Sequence, residues 1–386
     1  MGLISYRNGE QRMNKTYDIV VVGGGIIGMA TACYLCQEKV KLAVVERKHI
    51  GSGSTGRCIG GIRQQFSTPA AIRLMQENIE LFSQMEEEFN QSVEFHQGGY
   101  LFLAHNQDMV EVFKKNIEIQ KQEKVNVSLL SPQEVKEVVP HLNIEGVLAG
   151  AYCPEDAQAF PFPVLDGYRG KIAERGGEFF IANPVTNIKK EKHFQLTLAD
   201  GNQLEAAKVL LSAGPWTGEL AKIIGLDLPL YPERHEAVIT ERIPKFFEPM
   251  VVDYRPDGCY FHQLISGQII ACYTPVPNVP GIHEDVSFEF LPQVGWRMSR
   301  LIPELKKAAI LRNWSGSYTM TPDGNPIVDE SEIGGLYIAS GMSGHGFMFG
   351  PAIGKHLAHF MLFGQWGADF SEFSIKREFK SKENMK

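Results

Sequence analysis

Tyr17-Asp18-Ile19-Val20-Val21-Val22-Gly23-Gly24-Gly25-Ile26-Ile27-Gly28, with Glu46 eighteen residues further on, is the stretch whose reading decides the fold. The run 19–22 is too short for a helix and rich in β-branched residues, so it predicts a strand buried on both faces, as in a parallel sheet. It runs straight into glycines. Gly23 allows a tight turn, Gly25 lets backbone amides approach a pyrophosphate, and Gly28 lets a helix starting here pack closely on the strand. That helix would offer unpaired N–H groups and a positive dipole end to phosphate, with Ile26 and Ile27 in its first turn. A second strand over 41–45 ends at Glu46, placed to accept hydrogen bonds from ribose hydroxyls, with Arg47 beside it. Strand, glycines, helix and acid arrive in the order of an adenine dinucleotide site. NAD and FAD fit this stretch equally well.

The chain has 386 residues, which suits two intimately joined domains. A formal net charge of -7 gives no footprint for nucleic acid or an anionic membrane, and no apolar run is long enough to span a bilayer. Residues 1–15 are polar and lack the apolar segment of a secretory signal, which favours a cytoplasmic protein whose first residues are an extension, with Met13 an alternative start to Met1. The six cysteines are scattered and do not form a disulfide framework. Cys33 and Cys36 make a C-x-x-C, but both fall inside the predicted helix after Gly28 and no second pair exists, so they read as small apolar packing residues and no metal is expected.

Downstream, 51–63 is too glycine-rich for regular structure and too long for a simple turn. Its Ser54 and Thr55 hydroxyls suit phosphate, while Gly60 and Gly61 would let main chain pass close to a flat ring, and Cys58 and Ile59 make it less polar than a mere surface loop. Helical spacing predicts helices over 70–89, 109–124, 163–175 and 288–302, and Ser131-Pro132-Gln133-Glu134 carries a capping box. Residues 99–104 and 178–182 read as strands, and 194–198 as an arm of a hairpin turned by Asp200-Gly201. Val209-Leu210-Leu211-Ser212-Ala213-Gly214-Pro215-Trp216 is a second unit of strand then glycine, which puts Ala213 and Gly214 at a carboxyl strand end beside the same cofactor. Strands at 235–240, 258–264 and 268–273 would build a separate sheet. The last unit, a strand over 335–340, the turn Gly341-Met342-Ser343-Gly344-His345-Gly346-Phe347 and a helix to about 363, offers the N–H groups of Gly346, Phe347 and Met348 to developing negative charge.

In these motifs, joined by 318–324, the chain resembles the D-amino-acid oxidase-like flavoproteins, in particular the sarcosine oxidase and glycine oxidase branch. The likeness runs from about residue 17 to 363 and is nearest, at 51–55 and 60–66, to the β subunits of heteromeric dye-linked L-proline dehydrogenases and sarcosine oxidases. It implies a mixed α/β fold, with a Rossmann-like FAD-binding domain of the glutathione-reductase type over 14–90, 152–225 and 317–375. An antiparallel substrate domain over 91–151 and 226–316 would be interleaved with it. It also implies FAD, with Glu46 on the ribose, Val185 beside the adenine, Gly214 and Trp216 lining the cofactor, Gly60 and Gly61 at the isoalloxazine, Gly344 and His345 among the cofactor-binding residues, and Gly346 to Met348 at its pyrimidine carbonyl. The implied reaction is hydride removal from the carbon beside the nitrogen of a small amino or imino acid.

Departures sharpen this. Monomeric sarcosine oxidases bond their flavin through a cysteine where this chain has Gly316, so noncovalent FAD is expected. Their lysine after G-H-G-F is Met348 here, and their oxygen-activating lysine aligns near Ile270. Losing that cation points to a dehydrogenase that passes electrons to an acceptor or partner subunit. A free-standing oxidase and a non-catalytic FAD-binding assembly protein are the alternatives. Glycine oxidase's carboxylate-binding arginine aligns with Tyr318, which leaves Arg63 as the carboxylate clamp, a surface arginine or a structural ion pair being the other readings. Tyr260 and Tyr318 close the pocket or simply pack; His345 is a base or a structural residue.

Overall fold

A computed structural model describes residues 14–380 and Glu383; the expectations for the polar first residues, including Met1 and Met13, fall outside the described residues. The first sheet contains β1 (Asn14–Val22), β2 (Leu42–Val45), β8 (Glu178–Phe180), β9 (Val185–Lys190), β10 (Phe194–Leu198), β11 (Gln203–Leu211), β18 (Ile327–Glu330) and β19 (Leu336–Ser340). Its order is β18-β19-β11-β1-β2-β8, with β10 and β9 attached to β11. From β19 to β8 every pairing is parallel. Side-chain alternation explains the unbroken apolar runs. Ile19, Val21, Leu42 and Val44 enter one core, under the helices, while Val20, Val22, Ala43 and Val45 enter a second on the other face.

The helices are α1 (Ile26–Leu35), α2 (Pro69–Phe89), α3 (Gln107–Gln122), α4 (Pro132–Val138), α5 (Pro161–Glu174), α6 (Thr217–Ile223), α7 (Phe290–Leu301) and α8 (Gly346–Phe363). The capping box at Ser131 and Glu134 is present. The helix after the glycines starts at Ile26 and ends at Leu35, so Gly28 lies in its first turn and Cys36 is its C-cap rather than an interior residue.

A second sheet, separate from the first, joins β4 (Tyr100–Ala104), β5 (Ser128–Leu130), β6 (Ala149–Cys153), β12 (Tyr231–Thr240), β13 (Met250–Asp253), β14 (Tyr260–Gln263), β15 (Ile269–Tyr273), β16 (Val279–Pro280) and β17 (Ile310–Met320). It runs β16-β12-β15-β14-β13-β4-β6-β5, with β17 on β12, and is antiparallel except between β13 and β4. The glycine-rich loop is not wholly irregular: β3 (Gly61–Ile62) pairs with β7 (Ala157–Gln158). That pairing fixes the position of Arg63, the next residue. No helix among the described residues is long and apolar enough to cross a membrane.

Candidate active site

The carboxyl ends of β1, β11 and β19 open on one cavity of about 950 Å³. At β1 the chain turns at Gly23, whose φ of +118° suits glycine, and a Cβ there would meet the Ser212 carbonyl oxygen at 2.4 Å. Gly25 is the N-cap of α1 and supplies no side chain to its orphan amides. The Ile26 amide donates to Thr55 Oγ1 at 3.1 Å, which ties the second loop to the helix start. Gly25, Ile26 and Ile27 line the cavity, and so do Gly346, Phe347 and Met348 at the start of α8. Two helix N-termini, each carrying partial positive charge, therefore face the same space.

Glu46 ends β2 and organises the first mouth of the cavity. Its carboxylate accepts from the Gly24 amide at 2.8 Å, the Lys48 amide at 2.8 Å and the Ser52 hydroxyl at 3.0 Å. A carboxylate has about four acceptor positions, so one remains for a ligand hydroxyl. The Arg47 guanidinium lies 3.7 Å above the Trp216 ring, and both line the cavity with Val185, Ala213 and Gly214. Ser54, also at the wall, donates to the Ser317 carbonyl at 2.6 Å. Arg47, Lys48 and Arg57 converge on Glu284, at 3.6, 2.7 and 3.3 Å. Glu284 belongs to the segment between β16 and α7, so this acid joins the second sheet's connections to the nucleotide loops.

The other end of the cavity is aromatic. Arg63 is buried at 2% exposure, with its guanidinium 4.0 Å above Phe66 and 5.5 Å above Phe102. It donates to the Gln65 carbonyl, and its Nη2 lies 3.0 Å from His345 Nε2. A guanidinium has no acceptor, so His345 Nε2 must accept and the ring proton sits on Nδ1. His345 occupies the N-cap position of α8 without a side-chain capping bond. Behind Arg63 lies Asp156, fully buried, whose carboxyl is pushed up to about 6 by desolvation, against which hydrogen bonds from Gln65 and Gln64 and the charge of Arg63 act.

Tyr260 and Tyr318 hydroxyls stand 3.1 Å apart, and burial raises both phenols well above their ordinary range. His235 stacks on Tyr318 with ring centroids 3.7 Å apart. Burial lowers its pKa to about 4, which keeps the ring neutral at pH 7, and its Nδ1 finds no hydrogen-bond partner among the described residues. The Cys58 thiol, also at the wall, accepts from the Gly60 amide at 3.2 Å and is pushed up to about 11 by burial, so it is a protonated thiol and no ready nucleophile.

Of the residues that sequence reasoning singled out, all but two meet at this cavity. Gly28 and Gly60 do not line it. Gly28 is inside α1, where a Cβ would lie 2.1 Å from the Gly23 carbonyl oxygen; Gly60, at a φ of +87°, lets the chain pass the Ala159 carbonyl, 2.3 Å from where its Cβ would be. Both are demanded by close backbone approach. Sequence reasoning missed Glu233, His235 and Tyr254, which also line the cavity. Alternation along Tyr231, Glu233, His235 and Ala237 was the available signal for the first two. No group of three His, Cys, Asp or Glu suited to a metal occurs among the described residues.

The cavity fits a flavin dinucleotide. Residues of β2 and β9 and of the start of α8 all line it, an added Cβ at Gly23 would collide with the Ser212 carbonyl, and Ser52, Ser54 and Thr55 bring hydroxyls to its wall beside the Gly25 and Ile26 backbone. Comparison with known proteins agrees. The chain is 34% identical to an L-proline dehydrogenase from P. horikoshii, whose crystal structure superposes with a TM-score of 0.89, covering 95% of this chain and 98% of that one. A glycine oxidase from Geobacillus kaustophilus shares the fold at a TM-score of 0.86 and 23% identity, with 94% and 99% covered. The sarcosine oxidase subunit beta of Arthrobacter sp is 28% identical over 375 residues, 94% of this chain and 91% of that protein. The model of the FAD dependent oxidoreductase family matches residues 18–360, so the chain belongs to that family and FAD is its cofactor.

Proposed function

We propose that the protein is a dehydrogenase that oxidises the carbon–nitrogen bond of a small amino or imino acid, of the proline, sarcosine or glycine kind, with noncovalently held FAD. The observation that carries this reading is the buried Arg63 guanidinium, held on aromatic faces at the wall of the cavity. The L-proline dehydrogenase and sarcosine oxidase relatives support the substrate class.

The residues over 14–90, 152–225 and 317–375 would hold the cofactor, and those over 91–151 and 226–316 would form most of the substrate side. The first turn of α1 with Gly23, Gly25, Ser54 and Thr55 would hold the pyrophosphate, Glu46 the ribose, Val185 the adenine, and the start of α8 the pyrimidine end. FAD supplies the hydride acceptor. Arg63 fixes the substrate carboxylate through its planar fork of donors, and the Tyr260–Tyr318 pair and the His235 ring exclude water. Because His235 is neutral, it adds no positive charge against the substrate nitrogen, whose lone pair must be free to form the C=N bond as hydride leaves carbon.

The electrons then pass to a partner subunit or another acceptor rather than to oxygen. Ile270, where a lysine would activate oxygen, is buried beside Ala237 and Cys272, and Met348 is buried at the start of α8. The decisive measurement is anaerobic titration of the holoenzyme with L-proline, sarcosine and glycine while following the flavin's visible absorbance. Bleaching is expected with at least one of them, and reoxidation by air should be slow. No bleaching by any amino or imino acid would defeat the reading; rapid peroxide formation would make the protein an oxidase.

A further inference from the structure

Asp156 is completely buried and lies outside the cavity wall, and the reaction proposed for the site makes no use of it. It stands one residue before β7, whose pairing with β3 sets it against the chain that leaves β3. The Gln64 amide donates to its Oδ1 at 2.7 Å and the Gln65 side-chain amide to its Oδ2 at 3.0 Å. The same Gln65 Nε2 donates to the Tyr100 carbonyl at 3.1 Å, where β4 begins, and the Gln65 backbone carbonyl accepts from Arg63. The Asp156 carboxylate therefore grips the two residues that follow Arg63, and through them ties the cavity wall at Gly61 and Arg63 to the substrate sheet.

The titratable and charged groups around this carboxyl are Arg63 after β3, Tyr100 on β4, and Tyr152 and Cys153 on β6. Burial raises both phenols and the thiol, so these three are neutral at pH 7, and the Arg63 guanidinium favours the anion. Desolvation outweighs all the partners and raises Asp156 to about 6. Protonation cannot leave its contacts as they are. A neutral carboxyl has an O–H to donate, yet both oxygens face N–H donors. A proton on Oδ2 forces the Gln65 amide to turn or withdraw, and its bond to the Tyr100 carbonyl is lost with it.

We propose that Asp156 is a positioning residue of the active site: as an anion it holds the segment 63–65 in place, and when it takes up a proton that hold is released and turnover falls. It acts through Arg63, from behind the cavity wall.

The test compares wild-type holoenzyme with Asp156→Asn, Gln65→Leu and His345→Gln between about pH 5 and about pH 8, by the visible absorbance of bound FAD without substrate and by kcat/KM for the amino acid that reduces it best. The kinetic half rests on the amino acid reading of the site; the absorbance half needs no substrate. Wild type is expected to show an absorbance change with its midpoint at about 6, and kcat/KM falling by roughly tenfold per pH unit below it. Asp156→Asn keeps the volume and an acceptor for the Gln64 amide but does not titrate. Both transitions should vanish in it, with FAD retained and kcat/KM at high pH lowered by roughly 10- to 100-fold, the value of a hydrogen bond to a charged group. Gln65→Leu removes a bond that favours the anion, so its midpoint should move to higher pH. His345→Gln should keep the transition. A transition that survives unchanged in Asp156→Asn overturns the proposal, as does one lost in His345→Gln, which assigns it to that histidine. Absence of any transition in wild type also overturns it and leaves Asp156 a packing residue. Should Asp156→Asn not fold, an unmoved midpoint in Gln65→Leu overturns it. If no amino acid reduces the flavin, the amino acid reading falls, while the absorbance titration still decides the role of Asp156.

Discussion

Arg63 is buried at 2% exposure, stacked on Phe66 and shared with the Gln65 carbonyl and His345. Replacing it with glutamine keeps most of the volume and removes the planar cation. We expect kcat/KM for amino acid oxidation to fall by at least roughly 100-fold, since hydrogen bonds to charged groups are worth about 1.5–3 kcal/mol each; FAD content, read from the visible spectrum, should be retained. The buried titratable groups give a pH signature. Burial lowers His235 and His262 to about 4, whereas histidines in the unfolded chain titrate near 6.5. Between these values the unfolded chain binds more protons, so both histidines make the fold less stable as pH falls. Asp156, raised to about 6, acts in the opposite sense and offsets one of them. Urea unfolding between about pH 6.5 and about pH 4 should show a net loss of stability, and His262→Gln should flatten that slope. At this scale Arg63 and His345 were legible as cavity residues because glycine motifs surround them, and Tyr260 and Tyr318 through the family resemblance. Tyr254 and His235 were not. Expected to begin at 235, β12 begins at Tyr231, and β13 is only four residues long, with no alternation in its composition.

Among the elements, α8 and α1 lie side by side because glycines allow it. A Cβ on Gly354 would sit 2.6 Å from Ala30 Cβ and 2.7 Å from the Thr31 amide nitrogen; one on Gly350 would meet only the Ile26 side chain. Gly354→Ala must push backbone from backbone, and we expect a loss of about 1–3 kcal/mol in denaturant unfolding together with weaker FAD retention. Gly350→Ala should be milder, because a side chain can turn aside. The parallel strands β1, β11 and β19 could be read from sequence because each is an apolar run stopped by glycine. Strand β17 escaped because its first residues, Ile310, Leu311 and Arg312, are all exposed, so apolar residues there do not alternate with polar ones, and only its pairing with β12 holds it in register. The pairing of Gly61 and Ile62 with Gln158 and Ala157 is likewise a long-range contact that no local pattern announces.

On the scale of the whole molecule, the cofactor site is assembled from distant parts of the chain, and Glu284 is one of the ties between them. It pairs with Arg47, Lys48 and Arg57 at partly exposed positions, where salt competes effectively. Glu284→Gln, or high ionic strength, should therefore speed FAD release several-fold, measured by ultrafiltration, while kcat with excess FAD stays near wild type. The two-sheet architecture was foreseeable from the strand runs; this tie was not, since its residues lie in loops with no periodicity.

Two of the four tryptophans, Trp216 and Trp314, line the cavity, the first beneath the Arg47 guanidinium and the second donating to the Arg57 carbonyl at 3.0 Å. Indole emits in a band that a bound flavin absorbs, so energy passes from these rings to the cofactor. The protein thus carries its own fluorescent gauge of cofactor loading: emission should brighten as FAD departs, and Trp216→Phe should dim that response without any label being attached.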